Sequence, residues 1–348
     1  MRILVATDAW RPQVNGVVRT LERMAEELPR LGAEVTMLTP AAFRTVPLPT
    51  YPDIRLALAR PKAVGAMIDA ARPDGIHIAT EGPIGFAVRR WCIREGRPFT
   101  TSYHTRFPEY IAARAPIPMA FTYGILRRFH NAGSGCMVAT ASLGAELSRR
   151  GFTNVMPWSR GVDSRLFRPR DDVAFPGPSR PVFLYVGRVA VEKNIGAFLD
   201  LDLPGDKVVV GEGPALARLR AQHPEVRFTG LLTGEALAAA YAAADVFVFP
   251  SRTDTYGIVL LEALASGLPV AAYPVAGPLD VVGGSDVAVL DEDLGRAAVA
   301  ALAIPRERCR QFALRRDWTA SARLFLDNVV RAQGIDRGPV PLAPVPVR

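Results

Sequence analysis

Two carboxylates placed eight residues apart are the residues best suited to chemistry in this sequence. Asp254 follows an apolar strand-like run that ends at Phe249, and Glu262 lies in the first turns of an apolar helix pattern. Carboxylates accept hydrogen bonds from sugar and ribose hydroxyls, and backbone amides at a helix N-terminus, here around Tyr256 and Gly257, favour phosphate oxygens. Helix capping is the alternative. It suits Asp254, but it suits Glu262 poorly because Glu262 has apolar neighbours.

A glycine and two basic residues follow another strand-like run, Val182–Val186. Gly187 and Arg188 come directly after that run, and Lys193 lies five residues beyond Arg188. A guanidinium and an ammonium at this spacing suit a diphosphate, whose charge they stabilise as it departs. Taken alone, each residue is more often a solvated surface cation. Their shared place after a buried strand favours phosphate binding.

Two further glycine turns follow strand-like runs. Asn15 and Gly16 precede a helix pattern, where helix amides and the helix dipole favour a phosphate. A tight turn before a helix cap explains the same two residues equally well. The second turn, Gly211-Glu-Gly-Pro, lacks the third glycine of the dinucleotide fingerprint, and no acidic ribose ligand follows at the usual interval. It therefore disfavours a nicotinamide-dependent dehydrogenase.

The elements that must position these residues alternate between strand and helix patterns in both halves of the chain. The predicted strands are Ile3–Thr7, Glu34–Leu38, Ile54–Leu58, Gly75–Ile78, Val182–Val186, Lys207–Val210, Val226–Phe228, Val246–Phe249 and Val270–Ala272. This rhythm predicts two parallel sheets covered by helices, an α/β fold. Ligands of such sheets bind beyond the carboxyl ends of the strands, where all the motifs lie.

A chain of 348 residues exceeds what one core usually organises, so two domains are expected. Residues 1–168 are predicted to form an N-terminal domain that binds the acceptor, and residues 182–337 a C-terminal domain that binds the donor. The turn-forming, charged segment 169–181 is the predicted linker. The last helix falls within the predicted C-terminal domain, and packing of this helix on the first domain is the alternative. The proline-rich residues 338–348 are predicted to be a frayed tail.

Charge is distributed unevenly along the chain. Residues 1–170 carry 24 Lys and Arg against 13 Asp and Glu, whereas residues 171–348 carry 18 against 21. The basic half suits an anionic partner such as lipid head groups, phosphates or nucleic acid, although a genomic bias toward arginine is the alternative. The acidic second half disfavours nucleic acid. Apolar residues between Arg114, Arg127 and Arg128 suit an anionic membrane surface or, alternatively, a buried helix pair.

The sequence contains no apolar stretch near the roughly 20 residues of a membrane-spanning helix. The sequence opens on a strand-like run rather than an export signal, so we expect a cytoplasmic protein. Peripheral attachment of this protein to the inner face of the membrane is left open by the sequence. Cys92, Cys136 and Cys309 are widely spaced in apolar or helical contexts. They predict packing rather than a disulfide framework or a zinc site.

Together these motifs resemble the signature of the large retaining glycosyltransferase family numbered four, of the GT-B architecture. The segments that carry the resemblance are Asn15-Gly16-Val, Gly187-Arg188, Glu192-Lys193, Gly211-Glu-Gly-Pro and Asp254 with Glu262. They match in order over nearly the whole chain. The resemblance implies two Rossmann-like domains whose parallel sheets face a central cleft. The family usually has Glu at the position of Asp254, which leaves the donor sugar open, and commonly has Phe at the position of Tyr256.

The resemblance also implies roles, position by position. The catalytic candidates are His104, Arg188, Lys193 and Asp254. The donor-binding candidates are Gly16, Gly187, Arg188, Lys193, Asp254, Thr255, Tyr256, Gly257 and Glu262. Glu262 would bind the ribose and Asp254 the transferred sugar, while Arg188 and Lys193 would hold the diphosphate. Gly16 would lie against that diphosphate from the other domain, and residues 255–257 would present backbone amides to the sugar.

His104 follows the strand-like run Pro98–Ser102. A lone histidine is more often a structural residue, but the family places one here near the reacting carbon, where it would polarise a donor hydroxyl or the leaving region. Family members are thought to retain configuration, with the departing phosphate as base. No cofactor and no metal are expected. Asp200-Leu-Asp202 matches a DxD metal motif numerically, yet it ends a helix pattern far from the phosphate loops.

Two segments, Met156–Pro169 and Tyr103–Tyr110, look most like the branch with diacylglycerol glycolipid synthases and GDP-mannose-type mannosyltransferases. The predicted function is transfer of a hexose from a nucleotide sugar, with a UDP-sugar favoured, to a membrane lipid such as diacylglycerol. A GDP-mannose-dependent alpha-mannosyltransferase and a non-catalytic nucleotide-sugar binding protein are the alternatives. The expected partners are the donor, a lipid acceptor and an anionic membrane surface, and not nucleic acid.

Overall fold

The computed structural model describes residues 1–13, 15–48, 51–112, 115–173, 175 and 180–334, with the backbone alone at residues 48 and 51–54. The chain divides into two compact units, one of residues 1–159 together with those from 318 onward, and one of residues 160–317. Residues 174 and 176–179 of the predicted linker, the predicted tail 338–348 and Arg114 lie outside the described residues.

The strands fall into two sets, one for each unit. The first unit contains β1 (Arg2–Ala6), β2 (Glu34–Leu38), β3 (Thr45–Leu48), β4 (Tyr51–Ala57), β5 (Gly75–Ile78), β6 (Thr100–Tyr103), β7 (Gly135–Val138) and β8 (Val155–Pro157). The second unit contains β9 (Val182–Val186), β10 (Asp206–Val210), β11 (Arg227–Gly230), β12 (Val246–Phe249), β13 (Val270–Ala272) and β14 (Ala288–Leu290).

Helices connect most of these strands. They are α1 (Gly16–Arg30), α2 (Pro61–Ala71), α3 (Pro83–Arg94), α4 (Phe107–Ala112), α5 (Met119–His130), α6 (Ala141–Arg149), α7 (Gly196–Leu199), α8 (Leu216–Gln222), α9 (Gly234–Ala243), α10 (Ile258–Ala265), α11 (Ala276–Val282), α12 (Leu294–Ala301), α13 (Arg306–Leu314) and α14 (Trp318–Ala332). The last helix, α14, belongs to the first unit, where the Thr319 hydroxyl donates to Glu27 Oε2 at 2.9 Å.

Each unit is built on a six-stranded parallel sheet. The strand order is β2-β1-β5-β6-β7-β8 in the first unit and β11-β10-β9-β12-β13-β14 in the second. Helical connections cover both sheets, as parallel strands require. The prediction of an α/β fold with two Rossmann-like halves is therefore confirmed.

One predicted strand has a different place. The run Ile54–Leu58 was expected among the strands of the first parallel sheet, but β4 pairs antiparallel with β3 in a separate two-stranded sheet. The physical reason is the connection. β3 and β4 are joined by two residues, which suffice for a hairpin, whereas a parallel crossover needs a dozen residues or more.

The core of the second unit explains why its strands correspond to unbroken apolar runs in the sequence. Leu184 on β9 and Phe247 on β12 pack into one buried cluster, whereas their sequence neighbours Phe183 and Val246 pack into another. Successive strand residues point to opposite faces, and helices cover both faces. Both sets of side chains must therefore be apolar.

Each sheet has one point where the chain order of its strands reverses direction. In the first unit this point lies between β1 and β5, and in the second it lies between β9 and β12. Connections on the two sides of such a point leave in opposite directions, which opens a crevice at the carboxyl ends of the two strands. The loops after these four strands are where each unit is built to hold a ligand.

Candidate functional site

The loops after β9 and β12 contact each other at the reversal point of the second sheet. Lys193 Nζ forms an ion pair with Asp254 Oδ1. On the same loops, the Asn194 side-chain amide donates to the Pro250 carbonyl and the Thr253 hydroxyl donates to the Glu192 carbonyl, both at 3.1 Å. The fold thus brings together two predicted site residues that lie 61 positions apart in sequence.

The Lys193–Asp254 pair is only partly covered. The side chain of Lys193 is 21% exposed and that of Asp254 is 16% exposed. Both side chains therefore keep some contact with solvent. The pair gives the loop one positive group for phosphate and one negative group for hydroxyls.

Gly187 and the glycines of the Gly211-Glu-Gly-Pro turn let backbones approach closely. A Cβ on Gly211 would lie 2.0 Å from the Gly187 carbonyl oxygen, and a Cβ on Gly213 would lie 2.3 Å from the Val189 carbonyl oxygen. The amide of Gly187 donates to the Val210 carbonyl at 3.0 Å. These glycines therefore join the loops after β9 and β10, and no larger residue fits at Gly211 or Gly213.

Gly257 is the N-cap of helix α10 and lies in the left-handed region, with φ of 78°. This conformation turns the chain sharply from the loop of Asp254 and Thr255 into the helix. The first-turn amides and the dipole of α10 favour an anion or a hydroxyl oxygen at this end. Burial raises the pKa of the Tyr256 phenol, and the guanidinium groups of Arg316 and Arg160 in the same unit offset part of the rise.

Glu262 lies on α10 and is 3% exposed. The Tyr241 hydroxyl, on α9, donates to Glu262 Oε2 at 2.9 Å. The carboxylate to which the resemblance assigns the donor ribose thus also has a protein partner. A carboxylate buried among apolar side chains needs hydrogen bonds to offset its desolvation, and Tyr241 supplies one. No sequence signal pointed to Tyr241, because it lies 21 residues from Glu262 on a different helix.

Arg188 is half-buried directly after Gly187. Its carbonyl accepts a hydrogen bond from the Tyr185 hydroxyl at 2.8 Å, which fixes the backbone at the end of β9. The backbone that carries the Arg188 side chain is therefore held in place. It lies at the carboxyl end of β9, in the same loop as Lys193. This placement is compatible with the role in diphosphate binding that the resemblance implies.

In the first unit, the loop after β1 leads to Gly16, the first residue of α1. Asn15 is the N-cap of that helix, and its Oδ1 accepts from the amides of Val17 and Val18 at 3.0 Å each. Asn15 therefore caps the helix, as the alternative explanation of this turn from the sequence predicts. Gly16 itself is exposed at the start of the helix.

Asp8, at the start of the same loop, was not singled out from the sequence. Its Oδ1 accepts from the Ile84 amide at 2.8 Å, and its Oδ2 accepts from the Gly85 amide at 3.2 Å. Burial raises the pKa of Asp8, and these two backbone bonds offset part of the rise. Asp8 ties the carboxyl end of β1 to the N-terminus of α3, the helix that follows β5, and so fixes the reversal point of the first sheet.

His104 follows β6 and is half-buried. Its ring meets the fully buried Trp158 edge to face, with centroids 5.6 Å apart. Two residues on, Arg106 binds Glu146 at 2.8 Å and Glu109 at 3.4 Å. The two carboxylates hold the start of this loop, and sequence reasoning missed them because they lie on two separate helices.

The predicted site residues divide between the units. Gly16 and His104 belong to the first unit, and the other eight belong to the second. The described residues include no group of three or more His, Cys, Asp or Glu side chains that could hold a metal ion. Asp200 is the C-cap of α7, so the DxD match lies at a helix end as expected.

Matches to known families cover both halves of the chain. A family model described as Glycosyltransferase Family 4 matches residues 14–166, and one described as Glycosyl transferases group 1 matches residues 180–304. A solved structure of sucrose-phosphate synthase from Thermosynechococcus elongatus resembles the chain with a TM-score of 0.75 at 22% identity, over 95% of this chain and 98% of that one. At this identity the likeness establishes the fold alone.

Three relatives are similar over most of the chain. A sulfoquinovosyl transferase of Arabidopsis thaliana is 32% identical over 77% of this chain, which spans 58% of the Arabidopsis protein. A GDP-mannose-dependent alpha-mannosyltransferase of Mycobacterium tuberculosis is 30% identical, with 81% of each chain covered. An alpha-monoglucosyldiacylglycerol synthase of Streptococcus pneumoniae is 28% identical over 78% of this chain and 71% of that protein.

Proposed function

The chain belongs to glycosyltransferase family 4, and from this premise we propose that it transfers a hexose from a nucleotide sugar to a hydroxyl of a membrane lipid such as diacylglycerol. A UDP-sugar is the favoured donor. The observation that carries the proposal is the placement of Lys193 and Asp254 together at the reversal point of the second sheet, beside the helix of Glu262.

The donor roles follow from the chemistry of each group. Lys193 and Arg188 hold the diphosphate, and the first-turn amides of α10 add hydrogen bonds at the sugar end. Asp254 and Glu262 accept from hydroxyls of the transferred sugar and of the ribose, respectively. In this proposal Arg188 and Lys193 supply the positive charge at the diphosphate that a metal ion supplies elsewhere.

In the proposed reaction, the bond between C1 of the sugar and the diphosphate oxygen breaks. The acceptor hydroxyl oxygen bonds to C1 from the same face, and its proton passes to the departing diphosphate oxygen. Configuration at C1 is thereby retained. Catalysis then consists of positioning and of stabilising the charge that develops on the leaving group, with His104 polarising a donor hydroxyl or the leaving region.

The name of one relative supports a lipid acceptor, the alpha-monoglucosyldiacylglycerol synthase. The name of the sulfoquinovosyl transferase, of which the chain spans only 58%, gives no acceptor. None of the described helices is long and apolar enough to cross a membrane. Access to a lipid would then require a surface that docks on the bilayer.

We propose that helices α3 and α5 of the first unit form this surface. Ile93 on α3 is 51% exposed and Phe121 on α5 is 64% exposed, and Phe86 and Ile125 are also exposed on these helices. The two helices touch, since the Arg89 guanidinium donates to the Phe129 carbonyl at 3.1 Å. Large apolar side chains on the outer face of a helix are typical of an interaction surface.

Charge complementarity supports an anionic lipid surface as the occupant. Residues 83–145 contain eight arginines against two acids, Glu95 and Glu109. Arg90, Arg127 and Arg128 are exposed on the same helices as the apolar residues. Arginines beside exposed aromatic and aliphatic side chains suit an anionic interface. We propose that the enzyme docks there peripherally, at the cytoplasmic face of the membrane.

A GDP-mannose-dependent alpha-mannosyltransferase is the second candidate function. It is favoured by the relative of that name, which is 30% identical with 81% of each chain covered. The two candidates share the fold and the diphosphate contacts and differ in base and sugar. A non-catalytic nucleotide-sugar binding protein is a third possibility that the same experiments separate.

Calorimetric titration of UDP-, GDP- and ADP-sugars into the purified protein tests the donor assignment. Binding of a UDP-sugar alone supports the favoured donor, and binding of GDP-mannose alone supports the second candidate. Saturation with a donor that is neither transferred nor hydrolysed would indicate the non-catalytic binder. Absence of binding to every nucleotide sugar would contradict all three.

A further inference from the structure

Glu262 and Tyr241 form a buried polar pair inside the apolar core of the second unit. Glu262 is 3% exposed and Tyr241 is fully buried, and the phenol donates to Glu262 Oε2 at 2.9 Å. The helix around Glu262 is apolar, with Leu261 and Ala263 on either side. The proposed donor role of Glu262 accounts for the carboxylate, but nothing in that role accounts for the phenol.

The ring of Tyr241 is held from two sides. Phe167 meets it edge to face, with centroids 5.6 Å apart and an interplanar angle of 86°. Phe247 contacts it with centroids 5.8 Å apart. A ring packed in this way has little freedom, so its hydroxyl oxygen is held at a fixed position beside Glu262. Glu262 receives a hydrogen bond whose direction the core determines.

A fixed donor constrains the rotation of the carboxylate that it binds. An ionised carboxylate has about four acceptor positions on two oxygens, and the phenol uses one of them. The other acceptor positions of the Glu262 carboxylate keep a defined orientation, because the hydrogen bond from Tyr241 opposes rotation of the Glu262 side chain. A hydrogen bond to a charged acceptor is also roughly twice as strong as one between neutral groups.

We propose that Tyr241 is a positioning residue that acts through Glu262 to set recognition of the ribose hydroxyls of the donor. The inference rests on the proposed function, in which Glu262 accepts from the ribose. It assigns selectivity for ribose over deoxyribose to a phenol that does not itself contact the nucleotide. The competing explanation is structural, namely that each buried group merely satisfies the other.

Substitution Tyr241→Phe separates these explanations because it deletes the hydroxyl and keeps the packed ring. The probes are UDP and GDP, each compared with its 2′,3′-dideoxy counterpart, titrated into the full chain by calorimetry. Wild type binds the ribonucleotide of its own donor more tightly than the dideoxy form. In Tyr241→Phe, affinity for that ribonucleotide falls about tenfold, as loss of one charge-assisted hydrogen bond does, and affinity for the dideoxy form stays unchanged.

Tyr123→Phe is the matched control. Its phenol donates to the Glu109 carboxylate at 2.7 Å and it is buried in the first unit, so the same chemical change is made in the unit that does not contain Glu262. This variant leaves the ratio of the two affinities at its wild-type value. Thermal unfolding of both variants shows that each remains folded at the temperature of the titration.

A double-mutant cycle with Glu262→Gln tests whether Tyr241 acts through Glu262. Glu262→Gln lowers ribonucleotide affinity, and adding Tyr241→Phe to it produces no further loss, because the two groups form one unit. Additive losses would overturn the inference. An equal loss for ribonucleotide and dideoxynucleotide in Tyr241→Phe would also overturn it and leave the structural explanation.

The failure of the proposed function has a different signature. If Glu262 does not contact the ribose, wild type itself binds ribonucleotides and dideoxynucleotides alike, and Glu262→Gln changes neither affinity. That result overturns the ribose role of Glu262 together with the inference. If wild type and Glu262→Gln differ as expected and Tyr241→Phe matches wild type, the inference alone is wrong.

Discussion

At the residue scale, the chemistry depends on side chains that the fold brings together from distant parts of the chain. The types and spacing of Arg188, Lys193, Asp254 and Glu262 predicted a binding role for phosphates and hydroxyls from sequence. Their partners could not be predicted in the same way. The bonds from Tyr241 to Glu262 and from Ile84 to Asp8 join residues far apart in sequence, and no local pattern encodes such pairs.

Lys193→Ala tests the role of the ammonium in the second unit. We expect kcat to fall by a factor that corresponds to about 2–4 kcal/mol, the usual loss when one contact to a developing charge is removed. Lys62→Ala, which removes an exposed ammonium on α2, is the control and should leave kcat unchanged. Equal turnover in wild type and Lys193→Ala would make Lys193 a surface cation that pairs with Asp254.

Chelation tests whether these cations act without a metal ion. We expect activity to survive an excess of EDTA, because Arg188 and Lys193 supply the positive charge that a divalent ion supplies elsewhere. Turnover is measured before and after chelation and again after magnesium or manganese is added back. Activity that disappears on chelation and returns with either ion would revive Asp200 and Asp202 as ligands.

At the element scale, the predictable parts were those in which sequence pattern and burial coincide. The runs Gly75–Ile78, Val182–Val186, Val246–Phe249 and Val270–Ala272 form strands with the predicted bounds, because strands of a parallel sheet are apolar on both faces. The β3–β4 hairpin was assigned to the wrong sheet. A single run such as Ile54–Leu58 contains no information about its pairing partner, which the short connection to β3 decides.

The N-cap of α1 allows a direct test of one element. Asn15→Ala removes the acceptor of the Val17 and Val18 amides, so we expect the start of the helix to lose about 1 kcal/mol. Hydrogen exchange at these two amides should then become about fivefold faster, since local opening controls exchange there. Asn15→Asp keeps the acceptor and serves as the control. Unchanged exchange in Asn15→Ala would show that the cap does not stabilise the helix.

At the scale of the whole molecule, the charge asymmetry of the sequence corresponds to a surface that the structure identifies. Residues 1–159 of the basic half belong to the first unit, where exposed arginines accompany exposed apolar residues on α3 and α5. The sequence pointed to α5 through Arg127 and Arg128. It did not point to α3, because only the fold reveals that Phe86 and Ile93 are exposed.

Vesicle co-sedimentation tests the docking surface. Each basic residue near an anionic surface contributes about 1 kcal/mol and is screened within a Debye length of about 8–10 Å, so binding should weaken as salt rises. Arg90→Gln with Arg128→Gln should lower binding to phosphatidylglycerol vesicles about tenfold or more. Arg218→Gln with Arg220→Gln, on exposed arginines of the second unit, is the control. Equal pelleting of both double variants, or no pelleting of wild type, would favour a soluble acceptor.

The central claim is that this chain moves a sugar from a nucleotide donor to a lipid, and a transfer assay tests it most directly. Wild type and Lys193→Ala are each incubated with radiolabelled UDP-glucose or GDP-mannose and with vesicles that contain diacylglycerol and anionic phospholipid. The label is then measured in the organic extract. We predict that wild type moves label from one of the two donors into a lipid product and that Lys193→Ala does so at least about 30-fold more slowly. Tight donor binding with no label in any lipid or soluble product would contradict the account.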